Sequence, residues 1–203
     1  KSFAHRLLIL SALAEGETFI ACPSSSEDIE ATSACLRTLG AKITSSAEGF
    51  AVSPITPQSL LESAALDCGE SGSTLRFMVP VCCALGVRAA FTGSGRLPSR
   101  PMGPLIGALS ERGCSFESDN GGLPLLCGGK LLPGKVGIAA GVSSQFISGL
   151  MLALPIAGGG EIKLKGKAES VDYIKITAET MELFGAEVAL DIQESGGAVT
   201  AKG

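Results

Sequence analysis

The sequence repeats one pattern three times, and this repeat constrains the fold more than any other feature. An apolar-striped helical segment ends near a glycine and precedes a short strand-like segment, with the glycines at Gly40, Gly113 and Gly185. Glycine just after a helix adopts the left-handed backbone conformation at little cost. The spacings of 73 and 72 residues between these glycines therefore predict three equivalent structural units.

A second set of glycines supports the same repeat. Gly16, Gly86 and Gly158 each follow an apolar segment and precede an apolar strand pattern, at spacings of 70 and 72 residues. Turn signals at 48–49, 120–122 and 196–197 predict a hairpin at the end of each unit. The expected strands are 18–21, 88–92 and 161–164 after the first helices, 50–53, 123–127 and 198–201 in the hairpins, and 65–68 and 135–138 before the second and third units.

The predicted fold class is α+β, with three βαβαββ units around a pseudo-threefold axis. We expect a single domain at 1–203 whose units span about 1–64, 65–134 and 135–203. The first unit has no leading strand, so we expect a preceding segment to be missing or to belong elsewhere in a longer protein. The basic and apolar residues of 1–14 resemble a secretion signal, but the same helix recurs inside the chain, which weakens that interpretation.

Composition and charge exclude several classes of protein. With 45% hydrophobic and 18% charged residues, the chain has enough apolar side chains for a core, and a net charge of -4 repels nucleic acid. Seven cysteines without a C-x-x-C motif predict reduced core residues of a cytosolic protein, not a disulfide framework or a zinc site. No apolar run approaches the roughly 18 to 20 residues of a membrane span.

The starts of the first helices are candidate anion sites. They lie in 1–6, 70–76 and 142–146, are rich in serine and glycine, and carry Lys1, Arg6 and Arg76. The start of a helix carries about half a positive charge. If the three starts converge, they form one anion site, whereas a single serine there is more often only a helix cap.

A stiff loop with two arginines is a further candidate. Residues 93–101 contain Arg96 and Arg100, with prolines at 98 and 101. Proline restricts the loop, and a guanidinium binds carboxylate or phosphate through two parallel hydrogen bonds. The alternative is an ordinary polar surface loop.

Other chemistry finds little support in the residues. His5 is the single histidine and is expected to be a partly exposed surface or interface residue, since no catalytic triad or metal set forms around it. Asp28, Glu30 and Asp67 are expected to be acids of helix starts and loops. No nucleotide-binding glycine motif is present. The residues alone therefore predict a domain for a small, multiply anionic ligand.

Five motifs together resemble the EPSP synthase family (3-phosphoshikimate 1-carboxyvinyltransferases) in order and spacing. They are Lys1-Ser2-x-x-x-Arg6, the segment 66–77, Arg96-x-x-x-Arg100-Pro101, the segment 143–146, and Ser170-x-x-Tyr173. The resemblance spans the chain but only one half of such an enzyme. It implies an inverse α/β prism domain, with a second similar domain and the proton-transfer acids elsewhere.

The resemblance also implies an activity. These enzymes transfer the enolpyruvyl group of phosphoenolpyruvate to the 5-hydroxyl of shikimate 3-phosphate, in the shikimate pathway to chorismate and aromatic amino acids, without a cofactor or metal. They are cytoplasmic monomers and the targets of glyphosate. The isolated half is expected to bind shikimate 3-phosphate weakly and to be inactive, with no nucleic acid or membrane as partner.

Site residues are implied by the same motifs. Lys1 is the catalytic residue and contacts both substrates. Residues implied to hold shikimate 3-phosphate are Ser2, Arg6, Ser143, Ser144, Gln145 and Ser170, with Tyr173 near its ring. Residues implied to hold phosphoenolpyruvate are Gly72 and Arg96, with Arg76 and Arg100 in support.

The chain departs from the common family pattern at three positions. Glu70 replaces an asparagine, Ser73 a threonine, and Asp172 a proline, which leaves glyphosate sensitivity open. The nearest alternative is UDP-N-acetylglucosamine enolpyruvyl transferase, which typically has Lys-Asn at the first motif and a cysteine in the loop 93–101. A non-catalytic module that binds anions or RNA is the other alternative.

Overall fold

The computed structural model describes residues 1–118 and 121–203, and the same order of elements recurs three times. The first unit contains α1 (Ser2–Leu13), β1 (Thr18–Ala21), α2 (Glu27–Thr38), β2 (Lys42–Ser45) and β3 (Gly49–Ser53). The second contains β4 (Ser63–Asp67), α3 (Gly72–Leu85), β5 (Arg88–Thr92), α4 (Gly103–Ser110), β6 (Cys114–Ser118) and β7 (Leu125–Gly129). The third contains β8 (Gly134–Ala139), α5 (Ser144–Ala153), β9 (Gly160–Lys165), α6 (Val171–Leu183), β10 (Glu187–Gln193) and β11 (Gly196–Lys202).

Each unit forms its own sheet, and the second and third sheets share one strand order, of which the first sheet shows the last three strands. The second sheet has the order β4-β5-β7-β6 and the third the order β8-β9-β11-β10, and the first two strands of each are parallel. The first sheet has the order β1-β3-β2 and is antiparallel throughout. The repeated βαβαββ arrangement confirms the predicted α+β fold class.

Left-handed glycines end the second helix of each unit. Gly40, Gly113 and Gly185 have φ angles of +110°, +93° and +85°. The next residue closes the helix end in two of the units, since the amides of Ala41 and Ala186 donate to carbonyls five residues earlier. The glycines that revealed the repeat are therefore at the predicted helix ends.

The helices form a central bundle that buries a single apolar core. Helix α3 packs on α5, α5 on α6, α6 on α1, and α2 on both α1 and α3. Pro80 lies inside α3 and has no N–H, so the Arg76 carbonyl lacks its usual helical donor. Gly149 of α5 packs against that carbonyl, where a methyl group would overlap the oxygen and lie 3.0 Å from Pro80 Cγ.

Two predicted hairpins differ from the structure. Strand β7 begins at Leu125 instead of 123, because Pro124 cannot donate a hydrogen bond to a neighbouring strand. The last turn is at 194–195, so Gly196 and Gly197 belong to β11. Gly197 has φ +154° and its Cα approaches the Asp191 carbonyl so closely that only glycine fits. The predicted turn at 120–122 lies partly outside the described residues.

The cysteines behave as predicted, as small core residues. All seven are free, six are buried, and Cys22 is half-buried. Burial raises the pKa of the Cys82 thiol well above its usual value. Among the described helices, none is both long and apolar enough to cross a membrane.

Candidate functional site

The starts of α1, α3 and α5 meet at one end of the helix bundle. Gln145 Nε2 of α5 donates to Ser73 Oγ of α3 at 2.8 Å. The Arg6 guanidinium of α1 lies 4.9 Å from the centre of the Phe77 ring of α3, and its Nη2 donates to Ser148 Oγ of α5 at 3.0 Å. Three positively polarised helix ends are thus within side-chain contact of each other.

The three helix starts are not capped alike. Ser71 Oγ accepts the amide of Thr74 at 3.2 Å, and Ser143 Oγ accepts the amide of Gln145 at 3.2 Å. The cap of α1 is Lys1, which makes no side-chain cap hydrogen bond. The expectation that all three starts carry small capping residues is therefore wrong for α1, whose cap residue is Lys1.

A cavity of about 80 Å³ opens between these helix starts. This is well below the roughly 300–1,000 Å³ of a pocket that holds a whole small ligand, so the cavity can receive only part of one. Its lining residues are Lys1, Ser2, His5, Arg6, Asp28, Ser73, Phe77, Gln145 and Tyr173.

Lys1 at the rim of the cavity is paired with an acid from a neighbouring helix. Lys1 Nζ lies 2.8 Å from Asp28 Oδ2, and both side chains are partly exposed. Asp28 is in the first turn of α2, so a fourth helix start contributes to the site. Asp28 was expected only as an acid of a helix start or loop. The equivalence of helix starts within a unit was the signal that could have placed it here.

Arg6 is almost fully buried, with 2% of its surface exposed. Its Nε donates to Thr177 Oγ1 at 2.7 Å, and its Nη1 donates to the Ser2 carbonyl at 2.6 Å. No carboxylate of the described residues lies within salt-bridge distance of it. Burial lowers the pKa of Arg6 to about 10. The guanidinium is a positive charge that hydroxyls and carbonyls hold in place but no anion neutralises.

A second cationic group surrounds Gly72 at the start of α3. A methyl group at Gly72 would lie 2.8 Å from Arg100 Nη1 and 3.3 Å from Arg76 Nη1. Arg76 Nη1 also donates to Gln145 Oε1, which connects this group to the cavity. Burial, and then the neighbouring Arg100, lowers the pKa of Arg76. An anion bound here would relieve the repulsion between the two guanidiniums.

The structure brings Arg100, not Arg96, to Gly72. Arg96 is exposed, and its side chain makes no hydrogen bond within the part of the chain described. It precedes the short 3-10 turn Leu97–Ser99, which carries the chain round to Arg100. Glu70 lies against Gly95 of the same loop, where a methyl group would overlap its carboxylate.

The remaining candidates lie at the starts of α5 and α6. Ser144 is buried, and Ser143 is half-buried as the cap of α5. Ser170 is exposed, has a φ of +53° and precedes α6 without a side-chain cap hydrogen bond. Its carbonyl accepts the amide of Tyr173, whose own carbonyl accepts from Arg6 Nη2 at 3.3 Å. The start of α6 is thereby tied to the buried arginine.

His5 was expected near the surface, and this expectation is wrong. Only 3% of the residue is exposed, because it faces α2 and α3. Its Nδ1 lies 2.7 Å from Thr32 Oγ1, and its ring meets Phe77 edge-on. Burial lowers the pKa of His5 to about 4, which keeps the ring neutral at pH 7.

The described residues contain no group of three or more His, Cys, Asp and Glu arranged to hold a metal ion.

A family model for EPSP synthase (3-phosphoshikimate 1-carboxyvinyltransferase) matches residues 1–203. The chain belongs to the EPSP synthase family.

Relatives within the EPSP synthase family cover most of this chain. The 3-phosphoshikimate 1-carboxyvinyltransferase of Clostridium novyi is 37% identical in an alignment of 197 residues, and the match covers 93% of this chain and 45% of the relative. That of Methanocorpusculum labreanum is 34% identical over 190 residues, with the same coverage. The solved EPSP synthase of Acinetobacter baumannii superposes with a TM-score of 0.84 at 24% identity, covering all of this chain and 45% of that one. The chain thus spans about half the length of the relatives it matches.

Proposed function

We propose that the chain is the half of an EPSP synthase that holds the anionic groups of shikimate 3-phosphate and phosphoenolpyruvate. The observation that carries this proposal is the convergence of α1, α3 and α5 at a site with four cations, of which Arg6 has no carboxylate partner in the described residues. Fixed cations and helix ends stabilise charge that moves during a reaction, because they need not reorganise.

Shikimate 3-phosphate is assigned to the cavity side of the site. Lys1 and Arg6 supply positive charge there, and Gln145 and the helix starts supply further donors. Lys1 is paired with Asp28 in the structure, so an arriving anion has to share or displace that carboxylate. The residues assigned to this substrate are Lys1, Ser2, Arg6, Ser143, Ser144, Gln145 and Ser170, with Tyr173 beside its ring.

Phosphoenolpyruvate is assigned to the group around Gly72. The geometry supports Arg100 and Arg76 as its partners, since both guanidiniums lie beside Gly72 and Arg76 is hydrogen-bonded to Gln145. Arg96 is one 3-10 turn away and is not among the side chains nearest to Gly72.

The proposed reaction follows from placing the two anions side by side. The 5-hydroxyl oxygen loses its proton as it bonds to C2 of phosphoenolpyruvate, and the methylene carbon takes up a proton. The tetrahedral intermediate then loses phosphate from C2 and a proton from the resulting methyl group. Lys1, which lies at the rim of the cavity, is assigned to stabilise the charge that shifts between the donor's phosphate and carboxylate. We assign the proton transfers to a second domain, without which we expect no turnover. We also propose that the protein is a cytoplasmic monomer that uses no cofactor.

Calorimetric titration with shikimate 3-phosphate tests the substrate assignment. We expect saturable binding that K1A and S143A weaken, while K135A, which removes a remote lysine paired with Glu161, leaves it unchanged. UDP-N-acetylglucosamine is the control ligand, and binding of it in place of shikimate 3-phosphate would favour the sister transferase. A folded domain that takes up neither ligand would contradict the proposal.

Variants of the arginine loop test the second assignment. We expect R100A to weaken phosphoenolpyruvate binding about tenfold, the effect of losing one charge-assisted hydrogen bond. R96A is the matched control, and we expect it to bind as the parent does. A larger loss in R96A than in R100A would show that the loop rearranges and that Arg96 is the partner.

A further inference from the structure

His5 is one of three polar residues of the cavity, with Asp28 and Ser73, that the proposed substrate assignments do not use. It lines the cavity, it is buried, and it is the only histidine of the chain. A neutral imidazole has one nitrogen that donates and one that accepts, so what His5 offers the cavity depends on which nitrogen carries the proton.

A chain of buried hydroxyls leads away from Nδ1 of His5. Thr32 Oγ1 lies 2.7 Å from this nitrogen and 2.7 Å from Thr74 Oγ1, which in turn donates to Ser71 Oγ at 2.8 Å. Thr32 and Thr74 are fully buried, and Ser71 is 2% exposed. This series of hydrogen-bonded side chains links α1, α2 and α3 near their starts.

The number of hydroxyl hydrogens in this series fixes which group donates in each hydrogen bond. Each hydroxyl has one hydrogen. Thr74 gives its hydrogen to Ser71, the cap of α3, so the short contact between Thr32 and Thr74 needs the hydrogen of Thr32. Thr32 then has none left for His5 and accepts from Nδ1–H instead. Longer contacts from Thr32 and Thr74 to the Asp28 carbonyl, at 3.3 and 3.2 Å, do not change this order.

Nε2 is therefore the nitrogen without a proton, and it opens to the cavity. It makes no hydrogen bond within the described residues, and it is not among the fully buried polar atoms that lack a partner. Among the other polar groups around the cavity, Lys1 and Arg6 can only donate, whereas the hydroxyls of Ser2, Ser73 and Tyr173 can donate or accept. The carboxylate of Asp28 accepts, but it is already paired with Lys1.

We propose that His5 is a specificity-determining residue, whose Nε2 accepts a hydrogen bond from a hydroxyl group of the bound anion. The site then prefers a hydroxylated phosphate ester to one of equal size without a hydroxyl, because only the former satisfies this acceptor. This inference rests on the proposed function only in taking the cavity as the place where the anionic ligand binds.

The proton position can be measured directly, because the chain has a single histidine. Two-bond proton–nitrogen correlation spectra of the ring distinguish the two tautomers. We expect the proton on Nδ1 at pH 7, and we expect sn-glycerol 3-phosphate to shift the Nε2 resonance more than propyl phosphate does. A proton on Nε2, or equal shifts with the two esters, would overturn the inference.

Matched variants separate the two nitrogens. The amide of H5N can donate to Thr32 as Nδ1–H does but offers nothing at the position of Nε2. We expect H5N to fold as the parent does, to bind glycerol 3-phosphate about tenfold more weakly, the value of one hydrogen bond, and to bind propyl phosphate equally well. Equal losses for both esters would overturn the preference.

The same titrations keep this inference apart from the proposed function. If glycerol 3-phosphate is preferred but shikimate 3-phosphate does not bind, the substrate assignment fails and the role of His5 stands. If shikimate 3-phosphate binds but H5N binds it as tightly as the parent does, the role of His5 fails alone. No response to any of the three compounds would contradict both.

Discussion

Mild acid is expected to destabilise the fold through His5. Burial lowers the pKa of the ring from 6.5 to about 4; the carboxylate of Asp28 opposes this shift, while Arg6 and Lys1 add to it. Between these two values the unfolded chain binds a proton that the folded chain does not. Stability is therefore complete above about pH 6.5 and is lost as the pH falls towards 4.

The size of the effect follows from the shift. One pKa unit corresponds to about 1.36 kcal/mol, so a change from 6.5 to about 4 amounts to roughly 3 kcal/mol. About 2 kcal/mol of this is lost by pH 5, because the unfolded state is then almost fully protonated at this residue and the folded state is not. Such a loss is a large part of a typical stability of about 5–15 kcal/mol.

Urea unfolding of the parent and of H5N between about pH 7 and pH 5 measures this effect. Carboxylates titrate in both proteins, so the difference between their pH dependences isolates the histidine. We expect the parent to lose about 2 kcal/mol more than H5N over this range. Equal losses, or a ring that titrates near its ordinary pKa in the folded protein, would refute the reasoning.

Four substitutions test other contacts. G149A is expected to lower the free energy of unfolding by about 1–3 kcal/mol in thermal unfolding, because its methyl group meets the backbone of α3. G107A, at an open and exposed helix position, is the control and is expected to raise it by about 0.5–1 kcal/mol. T177V removes the acceptor of Arg6 Nε and is expected to cost about 1–3 kcal/mol in urea unfolding; no loss would show that another group satisfies Arg6. G72A displaces only flexible guanidiniums, so we expect nearly unchanged unfolding and weaker phosphate binding in calorimetry.

The fold could be predicted from the sequence because its signals are local. Gly40, Gly113 and Gly185 end helices in left-handed conformations, and such a requirement acts within a few residues of the chain. The last turn was misplaced because Gly196 and Gly197 resemble turn residues. Their conformation is instead required by the close approach of neighbouring strands: the Leu164 carbonyl of β9 lies against Gly196, and the Asp191 carbonyl of β10 lies against Gly197. Sequence patterns do not show these contacts.

The site was predictable only where a motif marks it. The convergence of the helix starts could be proposed from the repeat. The pairing of Lys1 with Asp28 could not, because 27 residues separate the two along the chain and no local rule joins them. The burial of His5 depends on the packing of α1 against α2 and α3, and the choice between Arg96 and Arg100 depends on the path of one short turn.

The account depends most on the converging helix starts being the place where the phosphorylated ligand binds. Amide chemical shifts recorded during titration with shikimate 3-phosphate test this residue by residue. We expect the largest changes at Ser2, Gly72 and Ser144, which begin α1, α3 and α5, and little change at Gly86 and Gly158 beyond the far ends of α3 and α5. Changes centred on those far ends, or spread evenly over the chain, would contradict the account.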